Sequence, residues 1–307
     1  MRANAIIAGA EKAGTTSLFV SLAAHPEVAP ASVKETRYFS PLIAGAEPAD
    51  VATYDAYFAD AGDEPVRLEA TPRYCTGGRA VAERIEAVCG PTTRVILVLR
   101  DPVARFASFF AFQQARLRVP EDLSVAAYLE RSLALSPEQV RDPANHPWTA
   151  LSSGCYAEWL PDWYQVFGDR LLVLFFEHLT AEPESGLRAV AAFLGIDPDA
   201  FTTYELASEN RTTAYKRAGF QRVALAVNDR LERFLRRHYR LKDRMRSLYY
   251  RLNGKAATRG ALPEAVRTEL ERSYREPNQR LAAQLLAMGC RDVPDWVESG
   301  AQYSSAE

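Results

Sequence analysis

The stretch Ala5-Ile6-Ile7-Ala8-Gly9-Ala10-Glu11-Lys12-Ala13-Gly14-Thr15-Thr16-Ser17-Leu18 decides how this chain is read. A short apolar run, a small-residue turn carrying one lysine and a helix start follow one another. That order gathers backbone N–H groups, an ammonium and two or three hydroxyls about one point, which is how a helix N-terminus holds a phosphate. Gly9, Lys12, Ala13, Gly14, Thr15, Thr16 and Ser17 are therefore the first anion-binding candidates. Glu11 is out of place among them, because a carboxylate beside a bound anion must point away or weaken its binding.

Outward from this segment, the pattern alternates. Strands are expected at 5–10, Val28–Val33, Val66–Ala70, Arg94–Leu99 and Leu171–Phe176. Helices are expected at about 15–25, Tyr54–Phe58, Gly78–Cys89, after Asp101-Pro102, near Val125–Leu133, over 154–167 with a break at Pro161, and at Glu184–Leu194. The run Val95-Ile96-Leu97-Val98-Leu99 is apolar throughout, as a parallel strand buried on both faces must be. The expected fold class is α/β, with a mostly parallel central sheet flanked by helices.

The 307 residues, 48% of them hydrophobic, suffice for one substantial core. One domain over 1–307 is expected, with an insertion at about 112–153 that covers the sheet edge and a basic helical part from about 211. From Arg211 to Arg246 there are 12 Lys/Arg against 3 Asp/Glu. A solvated helix face is one reading of that charge, but the loop holding Arg211, Lys216 and Arg217 is placed like a ligand-contacting loop. A net charge of -2 gives no general attraction to nucleic acid or an anionic membrane. The apolar run at Ala5–Ala10 is too short for export or spanning, and Cys75, Cys89, Cys155 and Cys290 lie far apart. A cytoplasmic protein with free thiols is expected.

The turn departs from the usual nucleoside triphosphate loop, in which lysine follows the last glycine; here Lys12 precedes Gly14. A kinase would also need magnesium, commonly held by an acid at the end of a neighbouring strand. The candidate strand ends instead in Arg100, which repels a metal and pairs with phosphate. Asp101 is a possible metal ligand, but Pro102 behind it suggests a helix cap. Arg105 and Ser108, three apart on one helix face, join Arg100 as a second anion cradle. Two cradles at two strand ends imply a nucleotide phosphorylated at two separated positions.

In these residues the chain resembles the sulfotransferases that use 3′-phosphoadenosine 5′-phosphosulfate, especially the branch with the heparan N-deacetylase/N-sulfotransferases and related bacterial enzymes. Gly9–Leu18 looks like their 5′-phosphosulfate loop, and Arg100-Asp-Pro-Val-Ala-Arg105-Phe-Ala-Ser108 like their 3′-phosphate motif. Lys34-Glu35-Thr-Arg-Tyr-Phe39, Glu69-Ala-Thr71-Pro72-Arg73-Tyr74, Gly154-Cys-Tyr156, Phe176-Glu177-His-Leu179 and Tyr274-Arg-Glu-Pro277-Asn278 agree in order and spacing. The resemblance implies a P-loop-like sulfotransferase fold and sulfuryl transfer to a small-molecule or saccharide acceptor, with hydroxyl a commoner target than amine. The donor would leave as adenosine 3′,5′-bisphosphate, and no metal is required.

The resemblance makes Glu35 the general base and gives Arg100 and Ser108 the 3′-phosphate. Lys12 is suited to charge developing on the departing phosphate, with Lys34 assisting and one of Arg211, Lys216 and Arg217 closing over the nucleotide. Glu69, Arg73, Tyr74, Trp148 and Tyr156 are candidates for the acceptor cleft, the aromatic ones equally suited to packing. His25 is a weaker candidate base. The competing readings are a magnesium-dependent P-loop kinase and a nucleotide-binding scaffold without chemistry.

Overall fold

The computed structural model describes residues 1–203, 214–215, 254–255 and 262–302. Five strands form one sheet: β1 (Ala5–Gly9), β2 (Val28–Pro30), β3 (Val66–Ala70), β4 (Arg94–Leu99) and β5 (Leu171–Phe175). Their order is β2-β3-β1-β4-β5 and every neighbouring pair is parallel. The helices are α1 (Thr15–Ala23), α2 (Val51–Asp55), α3 (Gly78–Cys89), α4 (Pro102–Ala115), α5 (Val125–Leu133), α6 (Pro137–Arg141), α7 (Leu160–Phe167), α8 (Phe176–Ala181), α9 (Pro183–Leu194), α10 (Glu264–Ala287) and α11 (Asp295–Gln302). The architecture is the expected α/β sheet flanked by helices.

β1 is buried along its whole length and β4 is buried at every position after Arg94, so these central strands carry the core. β2 is shorter than the sequence suggests. Pro30 has no N–H to extend the ladder, and after one more bond, from Ala31 N to Leu68 O at 2.8 Å, Ser32 turns to Tyr57 O. The chain thereby leaves the sheet and carries Lys34–Phe39 across its C-terminal edge. Similarly, the expected helix over 154–167 consists of short 3₁₀ turns followed by α7, which takes Pro161 into its first turn, where a missing N–H costs nothing.

A second apolar cluster joins Phe106 and Phe109 of α4 to Tyr128 and Leu129 of α5, Trp148, and Leu270 and Tyr274 of α10. It fixes the segment after α4 beside the C-terminal edge of the sheet. A short antiparallel pair links Ala214–Tyr215 with Gly254–Lys255. The basic helix expected from Gln221 lies outside the described residues.

Candidate active site

Chain order reverses between β1 and β4: the chain after β1 builds β2 and β3 on one side, and the chain after β4 builds β5 on the other. In an open parallel sheet, ligands sit in the crevice beyond the carboxyl ends of the strands at such a point. The loops that meet there carry Lys12 after β1 and Arg100 after β4. They are bonded to each other, since Arg100 Nη1 donates to the Lys12 carbonyl at 2.9 Å.

α1 starts without a side-chain cap. Gly14 occupies its N-cap position, whereas Asp101 caps α4 and Ser124 caps α5 with side-chain oxygens. An uncapped helix start beside Lys12 and Arg100 leaves donors directed at an anion, so the residues present fit a phosphate. Gly14 has φ 84°, and a Cβ there would meet the Phe176 ring at 2.8 Å. The Arg100 guanidinium lies over that same ring, 4.4 Å from its centre. Phe176, the first residue of α8, thus supports both anion loops, a role that its sequence context gave no reason to assign. Gly9 is required for packing, because a Cβ there would come within 2.5 Å of Cys75 Sγ. Ala13 and Thr15 are buried, while Thr16, Ser17 and, on α4, Ser108 are partly exposed.

Lys12 Nζ lies 4.4 Å over the Phe112 ring, and the Arg116 guanidinium is 5.2 Å from the same centre. Burial pushes the Lys12 ammonium down to about 8, with Arg100 and Arg116 adding repulsion and Glu11 opposing them. Lys34 and Arg37 flank Glu35 at 3.1 Å and 3.3 Å. Burial alone would raise the Glu35 carboxyl, but those two cations outweigh it and hold it at about 2. Both Glu35 and Arg37 have left-handed backbones, with φ 63° and 58°, so the loop turns sharply at the carboxylate.

Four expected site residues face elsewhere. Glu69 is completely buried and accepts from Tyr54 at 2.5 Å, Tyr74 at 2.7 Å, Thr71 at 3.0 Å and also Thr36. Its carboxylate therefore anchors the Lys34–Phe39 loop from below and does not line a cleft; burial raises its carboxyl against the pull of these hydroxyls. Tyr74 belongs to the same network and also accepts from Phe39 N. The Tyr156 hydroxyl donates to Arg100 O at 2.7 Å, bracing the loop from the protein interior. Trp148 lies in the second apolar cluster with the Arg131 guanidinium 3.7 Å from its ring centre. Arg73 remains partly exposed near Glu11.

Arg105 also departs from expectation. It is completely buried, with Nη1 donating to Glu11 O at 3.5 Å and Nη2 to Ala150 O, so it ties two loops together beneath the cradle. Asp101 accepts from Val103 N at 2.9 Å, the helix cap that Pro102 suggested. His25 lies before β2, at the opposite end of the sheet. Its Nδ1 accepts from Glu27 N, so Nε2 carries the hydrogen and donates to Asp197 O at 2.8 Å. Glu177, noted in the sequence only as part of a matching motif, accepts from Asp101 N and from the Trp296 indole at 3.0 Å and 3.3 Å. Arg211, Lys216 and Arg217 lie outside the described residues. Among the described residues, no group of three acidic, histidine or cysteine side chains is placed to hold a metal, and no helix is long and apolar enough to cross a membrane.

Residues 2–236 match the sulfotransferase domain family. The chain belongs to that family. Human heparan sulfate glucosamine 3-O-sulfotransferase 6 is 30% identical over 193 residues, which cover 62% of this chain and 52% of that protein. Mouse heparan sulfate glucosamine 3-O-sulfotransferase 3A1 is 28% identical over 193 residues, covering 62% and 45%. The chain thus spans about half the length of these curated relatives. A sulfotransferase crystal structure from Alicyclobacillus acidocaldarius superposes with TM-score 0.58 at 26% identity, covering 69% of this chain and 88% of that one. The domain match establishes the family, and these relatives do not assign the chain to the N-deacetylase/N-sulfotransferase branch that its motifs suggested.

Proposed function

We infer that this sulfotransferase moves a sulfuryl group from 3′-phosphoadenosine 5′-phosphosulfate to a hydroxyl of a small-molecule or saccharide acceptor. The observation that carries this reading is the direct bond from Arg100 to the Lys12 carbonyl, which holds two anion-binding loops within reach of one nucleotide. Relatives named for 3-O-sulfation of heparan sulfate glucosamine support a hydroxyl of saccharide type over an amine.

The bound donor supplies an electrophilic sulfur and a phosphate leaving group. The start of α1 and Lys12 hold the phosphosulfate end, and Lys12 meets the charge that grows on the departing phosphate oxygen. Arg100 and Ser108 hold the 3′-phosphate. Glu35 takes the proton from the acceptor hydroxyl as its oxygen bonds to sulfur. Lys34, paired with Glu35 at rest, follows it into the site and exchanges part of that pairing for the phosphosulfate when the donor binds. Arg105, Tyr156 and Glu69 act through these residues as positioning groups.

Incubation with labelled phosphosulfate donor and a panel of hydroxylated acceptors, with excess EDTA present, tests the reading. Labelled sulfated product that survives EDTA is the expected result. Nucleoside triphosphate-dependent phosphorylation that EDTA abolishes, with no sulfated product, overturns it in favour of a kinase. Adenosine 3′,5′-bisphosphate binding without transfer to any acceptor overturns it in favour of a scaffold.

A further inference from the structure

Glu11 poses a problem that the catalytic reading leaves unsolved. It adjoins Lys12 in the loop proposed to receive an anion, yet it is an acid. Its side chain turns toward the segment after α6, where Oε2 lies 2.9 Å from His146 Nε2. The Glu11 carboxyl is held low: burial would raise it, but His146 and Arg73 outweigh burial and the nearby Glu35. An ionised carboxylate only accepts, so the hydrogen lies on His146 Nε2. The His146 ring is fixed edge-on to Phe109 of α4, 5.6 Å between centres. Arg105, on the same helix, reaches the carbonyls of both Glu11 and Ala150. The loop and the 143–151 segment, about 135 residues apart in sequence, are therefore joined twice, once by side chains and once through Arg105.

We propose that His146 is a positioning residue that turns the Glu11 carboxylate away from the phosphosulfate loop and offsets its charge, so that cofactor affinity depends on this pair. The inference rests on the nucleotide-site reading above. It makes a prediction of sign that a purely structural contact does not. Loss of His146 leaves the carboxylate beside the anion offset by Arg73 but without its bonded partner, and weakens binding. Loss of the Glu11 charge also removes a carboxylate that helps hold the proton on Lys12, so its effect is read at a pH where Lys12 stays protonated; there it does no such harm, and it rescues the loss of His146.

The test is calorimetric titration of the full chain with adenosine 3′,5′-bisphosphate at about pH 6.5, where Lys12 is protonated. His146→Ala should bind about tenfold more weakly than the unaltered protein, equivalent to about 1.4 kcal/mol. Glu11→Gln should bind at least as tightly as the unaltered protein, and the double variant should return to within about threefold of Glu11→Gln. A double variant as weak as His146→Ala, or weaker, overturns the proposal. If His146→Ala melts too low to titrate, Glu11→Gln alone decides, since a loss of more than about threefold contradicts charge relief. Failure of the unaltered protein to bind removes the nucleotide-site reading and the proposal with it. Binding by the unaltered protein without rescue removes only the proposal.

Discussion

Replacing Glu69 with alanine should destabilise the fold and unseat the Lys34–Phe39 loop together. The carboxylate accepts from Tyr54, Tyr74, Thr71 and Thr36, drawn from α2 and the two stretches that follow β2 and β3. Hydrogen bonds to a charged group are worth about 1.5–3 kcal/mol each on truncation, so four of them set an upper bound of roughly 6–12 kcal/mol. Relief from burying a carboxylate offsets several kcal/mol of that loss. A net cost of about 3–5 kcal/mol remains, the usual scale for removing one partner from a buried polar network. With a urea slope of about 3 kcal/mol/M, the unfolding midpoint should fall by roughly 1–1.7 M. Glu69→Gln should cost about half as much, because its amide retains one acceptor and hydroxyls rotate to meet its donors. Thr36 adjoins Glu35, so the alanine variant should also lose kcat while nucleotide affinity changes little. A midpoint shift below about 0.3 M at unchanged slope would refute the assignment of Glu69 as the anchor of this loop.

Arg100→Ala should abolish most of the preference for adenosine 3′,5′-bisphosphate over adenosine 5′-monophosphate, about 10²-fold for a lost charge-assisted pair, as competition titration will show. A preference that survives intact would place the 3′-phosphate elsewhere. Nucleotide affinity should be flat below about pH 7 and fall about tenfold per unit above about 8, because binding requires the Lys12 ammonium that burial has weakened. Calorimetry in two buffers should register uptake of about three-quarters of a proton on binding near pH 8.5, and a flat profile to about pH 9.5 would discount Lys12. Glu35→Gln should leave nucleotide affinity within about threefold and lower turnover by roughly 10²-fold or more; unchanged turnover removes Glu35 from the mechanism.

The sheet was readable because its central strand is apolar without interruption and its first loop is rich in small residues. The ends of β1, β3 and β4 were readable to within a residue, and with them the neighbourhood of Lys12 and Arg100, whereas β2 stops at Pro30 rather than Val33. The direction of side chains at those ends was not readable. Leu68, Glu69 and Ala70 are all buried, because a central parallel strand is covered on both faces and shows no alternation to reveal which side chain points inward. Glu69 and Tyr74 consequently looked like cleft residues when they are buried beneath the Lys34–Phe39 loop. Tyr156 and Arg105 act on groups 56 and 94 positions away, and His146 on one 135 away, separations that no local pattern encodes. Phe176 stood in a matching motif without an assigned role for the same reason, since its partners are Gly14 and Arg100.

A resting Glu35 at about 2 is too weak a base for a hydroxyl near neutral pH, yet its surroundings explain how it can serve. Burial pushes its carboxyl upward, and only Lys34 and Arg37 hold it down. Lys34 is the more sheltered of the two, its side chain 14% exposed against 51% for Arg37, so it exerts the less screened pull. A second anion placed next to Lys34 divides that pull, and each share transferred to the anion returns Glu35 toward the higher value that burial favours. An acceptor closing over Glu35 strengthens burial in the same direction. If Glu35 is the base proposed above, it would be restrained until donor and acceptor are both in place, which would limit loss of the sulfuryl group to water. The same ion pair that makes Glu35 look inert at rest would then make its basicity depend on occupancy of the site.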